Sequence, residues 1–279
     1  MSIFISKNEL TDGLKRLFDN ISNTPLLIHS DILKIGIVDK MKSRKDICED
    51  YLSIIKESAG DRPLLFPTFN YDFCRDGVYH RQESPGQVGA LSEYVSRAYS
   101  ARRTRTPVFN FGIFDHGSFT FDETGNPFGP ASTFAEIHEQ QGVIVFLGAG
   151  FETSTFLHYI EESCNIGYRY LKPFRGKIID NGQETGIELK YRVRPLIEHA
   201  AEYDWKRLTE DLRVRKILHS DSLGNGHINY CSSGALFEYW SEKINDDEFF
   251  LLNPRSRVLA EELYRKFGRP LTFEKVESP

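Results

Sequence analysis

The segment Thr155-Phe156-Leu157-His158-Tyr159-Ile160-Glu161 places an imidazole and a carboxylate three residues apart. On a helix, both side chains fall on one face, and Glu161 can approach the His158 ring. An imidazole steadied by a carboxylate is a candidate general base, able to strip a proton from a nucleophile near neutral pH. The segment follows the turn Leu147-Gly148-Ala149-Gly150, which itself follows the apolar run Gly142-Val143-Ile144-Val145-Phe146. That run reads as a buried strand. Ligand sites collect at the carboxyl ends of strands in α/β proteins, so the placement suits chemistry. Taken by itself, a lone helical histidine fits a structural role more readily than a catalytic one.

A second polar cluster, His29-Ser30-Asp31-Ile32-Leu33-Lys34-Ile35-Gly36, begins where Pro25-Leu26-Leu27-Ile28 reads as another buried strand. A strand-to-helix turn of this kind leaves backbone N–H groups free to hold a phosphate, with the Ser30 hydroxyl to assist. The plainer alternative is that Ser30 or Asp31 only caps the turn. Arg102, Arg103 and Arg105 could grip a phosphate as charged donors, or be no more than solvated surface. Thr68 and Asn110 each sit at the end of an apolar run, where they could line a cleft or merely satisfy nearby backbone. His80, His116, His138, His199, His219 and His227 show no metal-ligand spacing, and no metal is expected. The nucleophile elbow, the Walker loop and the dinucleotide glycine turn are all missing.

These groups need elements to position them. Ser6 and Glu9 have the spacing of a capping box, and Leu10, Leu14, Leu17 and Phe18 follow on one face, so a helix is expected to about Asn20. Ile47, Tyr51, Ile54 and Ile55 mark a second helix ending near Gly60, and residues 63–69 a strand that frays or lies at an edge at Pro67. A long polar loop is expected from Asn70 to Gln87, then a helix from Gly89 to Ala98, the apolar run Val108–Phe114, and a helix containing Phe134 and Ile137. The stretch Lys177–Arg194, with Asn181-Gly182, reads as a hairpin, and helices near Tyr203–Leu212 and Ser233–Lys243 close the chain. The alternation of strand and helix gives an α/β fold: a central mixed sheet flanked by helices. One unit spanning 1–279 is expected, with a small inserted or appended subdomain around 177–230.

The 279 residues are 40 % hydrophobic and 27 % charged, with a net charge of −5. That composition supports a substantial core and gives no reason to expect a nucleic-acid or membrane partner. Four scattered cysteines without a C-x-x-C pair give no reason to expect a disulfide framework or a structural zinc site. With no secretory signal and no long apolar run, the cytoplasm is the expected address.

The segments resemble, in order, the aminoglycoside 3-N-acetyltransferase family (the antibiotic acetyltransferase type, distinct from the GNAT fold). The stretches that carry the resemblance are Leu26–Ser30 with Gly36, Leu65–Phe69, Gly89-Ala90-Leu91, Thr106-Pro107 with Asn110-Phe111, and Pro127–Ser132. Val145–Gly148, Thr155–Glu161, Tyr168-Arg169-Tyr170 and Leu223–Gly226 complete it. The resemblance implies acetyl-CoA or another acyl-CoA as co-substrate, an amine-bearing acceptor and direct transfer without a metal. It makes His158 the base and Glu161 its orienting acid. It places His29, Ser30, Asp31, Ile32, Leu33, Gly36, Thr68, Asn110 and Phe111 at the co-substrate, and Ser132, Thr155, Asn70 and Tyr71 at the acceptor. Asp31 stands where members often have a second serine, and residues 177–194 look unlike the drug-modifying enzymes. The expected reaction is therefore acylation of an amino sugar, free or nucleotide-linked. The alternatives are an aminoglycoside resistance enzyme, a non-catalytic CoA-binding protein, and a carbohydrate enzyme using acids such as Asp72, Asp115 or Asp204. A homodimer stays open.

Overall fold

The computed structural model describes residues 4–21, 23–38, 43–115, 117, 119 and 125–277; His116 lies outside them. The chain starts with α1 (Lys7–Asp19), β1 (Leu26–Ser30), the single turn α2 (Ile32–Ile35), α3 (Arg44–Ala59) and β2 (Leu64–Pro67). Ser6 accepts from the Glu9 amide at the start of α1, but the reciprocal capping box forms instead at Ser43 and Asp46, ahead of α3. The span 70–87 is not a plain loop. It contains the turn α4 (Phe73–Asp76) and the short strand β3 (Val78–His80). Next come α5 (Ala90–Ala98), β4 (Phe111–Phe114), α6 (Thr133–Glu139), β5 (Val143–Leu147) and α7 (Phe156–Ser163).

A hairpin, β6 (Tyr170–Asp180) and β7 (Gln183–Val193), follows, and it begins well before Lys177. Its turn is Asn181-Gly182, both residues at positive φ (49° and 80°), the geometry that the Asn-Gly pair favours in two-residue hairpins. The chain closes with α8 (Trp205–Val214), the hairpin β8 (His219–Leu223) and β9 (Gly226–Ser232), then α9 (Ser233–Asp246), α10 (Pro254–Phe267) and α11 (Phe273–Glu277). The last hairpin and the last two helices carry no strong apolar period. In β8 only Leu223 is buried, and α10 buries only Ser256, Ala260 and Leu263.

Six strands form the main sheet in the order β4-β2-β1-β5-β9-β8. β1 runs parallel to β2 and β5, while β4, β9 and β8 are antiparallel to their neighbours. β2 is therefore an interior strand that stops at Pro67 rather than an edge. The central strands are apolar on both faces because both are covered. Leu27, Ile144 and Phe146 join the core beneath α6, α7 and α9, whereas Leu26, Ile28, Val143 and Val145 join the core beneath α1, α3 and α5. A second sheet, β3-β6-β7, stands beside this frame. Within 177–230, the residues up to 193 thus lie in the second sheet, and 219–230 lie in the main one. No helix among the described residues is long and apolar enough to cross a membrane.

Candidate active site

The parallel strands β2, β1 and β5 end on one side of the sheet, and β1 lies between the other two, so the chain leaves it toward one side and returns on the other. Crevices at such points are the usual ligand sites of open α/β sheets. Here the crevice is a cavity of about 390 Å³ lined by the ends of β1 (His29, Ser30) and β2 (Phe66, Pro67). Tyr71, Ser92 on α5, and Ala149, Thr153 and Thr155 after β5 also line it, with Ile28, Phe69 and Val88. Gly148 allows β1 and β5 to end together. Its φ is +71°, and a Cβ there would lie 2.3 Å from the Asp31 carbonyl oxygen.

Thr155 opens α7, and its carbonyl accepts from the His158 amide at 3.0 Å, so His158 stands one turn beyond the cavity wall. His158 Nδ1 lies 2.8 Å from Glu161 Oε2, and the His158 side chain remains 27 % exposed. The edge of Phe128 packs against the ring with centroids 5.4 Å apart. Glu161 itself is buried, and both its oxygens are engaged. Tyr168 and Tyr203 donate to Oε1 at 2.6 and 2.8 Å, and the Arg169 Nε stands 3.3 Å from Oε2. Arg169 also donates to the Tyr203 hydroxyl at 2.5 Å, and that hydroxyl is 3.5 Å from His158 Nδ1.

Burial alone would raise the Glu161 pKa, but the Arg169 guanidinium and the bonds from His158 and Tyr168 reverse this and hold it at about 2. Glu161 is therefore ionised and can only accept, so Nδ1 must carry the proton. That tautomer leaves the Nε2 lone pair as the basic site. Burial lowers the His158 pKa below 6.5, the Arg169 charge adds to that, and Glu161 opposes it. A neutral ring at pH 7 is the form a general base requires.

The remaining predicted residues divide into two groups. Ser30, His29, Tyr71 and Thr155 line the cavity. Thr68, Asn110 and Phe111 are buried and face the fold rather than the cavity. Asn110 Oδ1 accepts from Thr68 Oγ1 at 2.6 Å and from Arg103 Nη2 at 2.7 Å. Arg103 is not a phosphate grip. It is fully buried and also donates to the carbonyls of Arg81, Ser84 and Thr68. Arg105 contacts Asp180 at 3.6 Å, and Arg102 lies over the Phe114 ring.

Ser132 is buried and caps α6, its hydroxyl accepting from the Ala135 amide. Asn70 is buried, donating to the Pro85 carbonyl and to Asp72. Asp31 stands at the cap position of α2 without a side-chain cap bond, and it pairs with Lys34 at 3.3 Å. Ile32 is buried, Leu33 is exposed, and the Gly36 carbonyl accepts from Tyr51. Tyr203 and Ser92 carried no signal in the sequence. Tyr168 and Arg169 follow Glu161 by seven and eight residues, but only the fold turns them back on it. Among the described residues, no group of three or more His, Cys, Asp or Glu side chains is placed to hold a metal ion.

The profile of the aminoglycoside 3-N-acetyltransferase family matches residues 27–245. The chain belongs to this family. Among solved structures it is similar to the aminoglycoside acetyltransferase AAC(3)-IVa apoenzyme, with TM-score 0.71 and 18 % identity over 92 % of this chain and 95 % of that one. AAC-IIIb in a binary complex with CoASH gives TM-score 0.72 and 15 % identity over 87 % of this chain and 97 % of that one. The YokD protein from Bacillus subtilis gives 0.65 and 16 % over 87 % and 100 %. At these identities the likeness shows the fold alone. No curated protein matches the chain. The family membership makes this α/β chain an acyl-CoA-dependent N-acyltransferase.

Proposed function

We propose that the protein transfers an acyl group, in the simplest case acetyl, from a CoA thioester to the primary amine of an amino sugar. One observation carries the reading: a neutral histidine, fixed by an ionised carboxylate, stands one turn beyond a cavity at the carboxyl ends of the parallel strands. An ammonium has no lone pair, so one proton must leave before nitrogen attacks the thioester carbon. That first proton passes to solvent; as the C–N bond forms, His158 Nε2 takes a second proton from nitrogen, and the C–S bond breaks. The departing thiolate recovers a proton from the imidazolium. Glu161 remains ionised throughout, stabilising the imidazolium without accepting its proton.

The cavity suits the thioester arm, since its wall is largely apolar and includes Thr155, one turn before the base. The turn from His29 to Gly36 is the segment through which we place the pyrophosphate end of CoA. The amine acceptor approaches the exposed part of the His158 side chain. The test is release of free thiol when purified protein meets acetyl-CoA and a panel of amino sugars, aminoglycosides included. No thiol release with any amine acceptor overturns the reading.

A further inference from the structure

Tyr203 stands against both members of the His158–Glu161 pair, and the turn that carries it is strained. Its hydroxyl donates to Glu161 Oε1 at 2.8 Å, accepts from Arg169 and lies 3.5 Å from His158 Nδ1. Its ring packs beside the imidazole, with centroids 6.3 Å apart. Just ahead of it, His199 and Ala201 hold φ of +63° and +51°. Residues with a Cβ take that conformation only where surrounding contacts enforce it.

The enforcement comes from the first turn of α10. Ser256 is fully buried, and its one hydroxyl donates to the His199 carbonyl at 2.5 Å and accepts from the Glu202 amide at 3.0 Å. The Ser256 amide is itself held by the Asn253 side chain at 2.8 Å. Asn253 also reaches the turn directly, its amide donating to the Glu202 carbonyl at 3.0 Å and its Nδ2 to Glu202 Oε2 at 3.3 Å. The Asp204 amide then donates to the Leu251 carbonyl at 3.0 Å. Tyr203 is thus stitched on both sides to 251–256, a segment beyond residue 245, where the match to the family profile ends. No residue of 199–204 or 251–256 is among those lining the cavity. The clamp bears on the Glu161–His158 pair and not on the site of the thioester arm.

We propose that Ser256 is a positioning residue for the transfer: its hydroxyl locks the turn 199–202 so that Tyr203 stays on Glu161 and His158. The inference rests on the acyl-transfer reading for what the pair does, and it adds a residue that touches neither the pair nor a ligand. Without the hydroxyl, the His199 carbonyl and the Glu202 amide lose their shared partner, and the turn relaxes from its left-handed residues. Tyr203 follows Glu202 directly and moves with it. Glu161 then turns more of its charge on the ring, and water reaches an imidazole that burial had kept neutral. Both changes favour the protonated ring. The titratable and charged groups around the pair are Tyr168 and Arg169 ahead of β6 and Tyr203 ahead of α8.

The test combines Ser256→Ala, Tyr203→Phe and their double variant, with thermal melting to confirm folding. Each single substitution should lower kcat by about tenfold, the effect of one hydrogen bond to a charged group. The double variant should fall no further than Tyr203→Phe, because the serine acts through the tyrosine. KM for acetyl-CoA should hold, and pantetheine, the thiol arm without the nucleotide, should bind all three as it binds the wild type. The His158 ring, followed by NMR and assigned with His158→Ala, should titrate at higher pH in the variants. Where Ser256→Ala does not fold, Asn253→Ala loosens the same turn from a half-buried cap and takes its place. Additive losses in the double variant, a change in KM alone, or wild-type kcat and titration in the folded clamp variant overturn the proposal. A His158 titration that rises as expected, without thiol release from any amine acceptor, sinks the acyl-transfer reading and leaves the clamp standing. Thiol release with unaltered variants does the reverse.

Discussion

Glu161 Oε2 lies 2.8 Å from His158 Nδ1, while its other oxygen is taken by the hydroxyls of Tyr168 and Tyr203. The carboxylate is thus saturated from every side by donors, and a saturated, ionised carboxylate has no reason to take a proton from the ring. It fixes the tautomer and the ring plane, and it stabilises the imidazolium formed in the reaction. The chemistry is left to Nε2.

Removing the base should therefore remove the chemistry and spare the binding. His158→Ala is expected to lower kcat by about 10²- to 10⁴-fold, the usual contribution of general-base help. Pantetheine affinity should change little, because the cavity wall ends at Thr155, one turn earlier. A variant with wild-type turnover would take His158 out of the mechanism.

The pH profile follows from the direction of the His158 shift. The base works unprotonated, so kcat falls as pH drops through its pKa. Because burial moves that pKa below 6.5, the acidic limb at saturating acceptor should lie below pH 6.5. Glu161→Gln removes the group that favours the protonated ring, so the limb should move still lower while kcat falls. A limb above pH 7 in the wild type would contradict the described environment.

Glu161 also links stability to pH. Its carboxyl titrates at about 2 in the fold against an ordinary 4.5, so its contribution is complete above pH 4.5 and is lost as pH falls from there toward 2. At about 1.4 kcal/mol per pH unit, that is about 3 kcal/mol. His158 acts in the same direction over the range just below 6.5, because the unfolded ring takes a proton that the folded ring resists. Urea unfolding should show Glu161→Gln less stable than wild type at pH 7, where it leaves Arg169 buried without its carboxylate. The gap should close as pH falls toward 2, since protonating Glu161 deprives Arg169 in the same way. A gap that stays constant with pH would mean that Glu161 is not ionised in the fold.

The sequence revealed the parts of this site that are local. His158 and Glu161 are readable because three residues on one helix place them together. The two strand ends are readable because fully buried parallel strands leave unbroken apolar runs. Contacts closed over long distances left no such mark. Tyr203 reaches Glu161 from 42 residues away and has no spacing to betray it. Thr68 and Asn110 are polar at strand ends, as cavity residues often are, but they turn inward because Arg103 needs acceptors. The 223–226 turn, one of the stretches that carry the resemblance, braces the end of α2. The Asn225 amide donates to the Ile35 carbonyl at 2.8 Å, and a Cβ on Gly224 would lie 2.4 Å from the same oxygen.

Arg103 gives a test of that inward network. Its guanidinium fork reaches Asn110 and the carbonyls of Thr68, Arg81 and Ser84, tying β2 and the segment ahead of β4 to residues 81–84. Lysine keeps the charge but has no planar fork, so several of these buried acceptors would lose their donors. Arg103→Lys should cost about 3 kcal/mol in chemical denaturation, within the range for breaking buried charged networks. A loss below about 0.5 kcal/mol, the size of an ordinary surface change, would show that the fork is dispensable.

Gly148 tests whether the meeting of β1 and β5 shapes the cavity. Alanine there meets two separate penalties. Its φ of +71° is disfavoured for any residue with a Cβ, at about 1–2 kcal/mol. The new carbon would also fall 2.3 Å from the Asp31 carbonyl oxygen, backbone that can yield only by moving the end of β1 and with it Ser30. Gly60 isolates the first penalty, since its φ is +64° and nothing lies within 4 Å of where a Cβ would stand. Gly60→Ala should therefore lose stability through the backbone alone and bind pantetheine normally. Gly148→Ala should lose more stability and bind pantetheine several-fold more weakly, because displacing Asp31 shifts the wall formed by His29 and Ser30. Equal losses of stability in the two variants, with equal affinity, would mean that the crevice tolerates parting of the strand ends and that its shape is not set at Gly148.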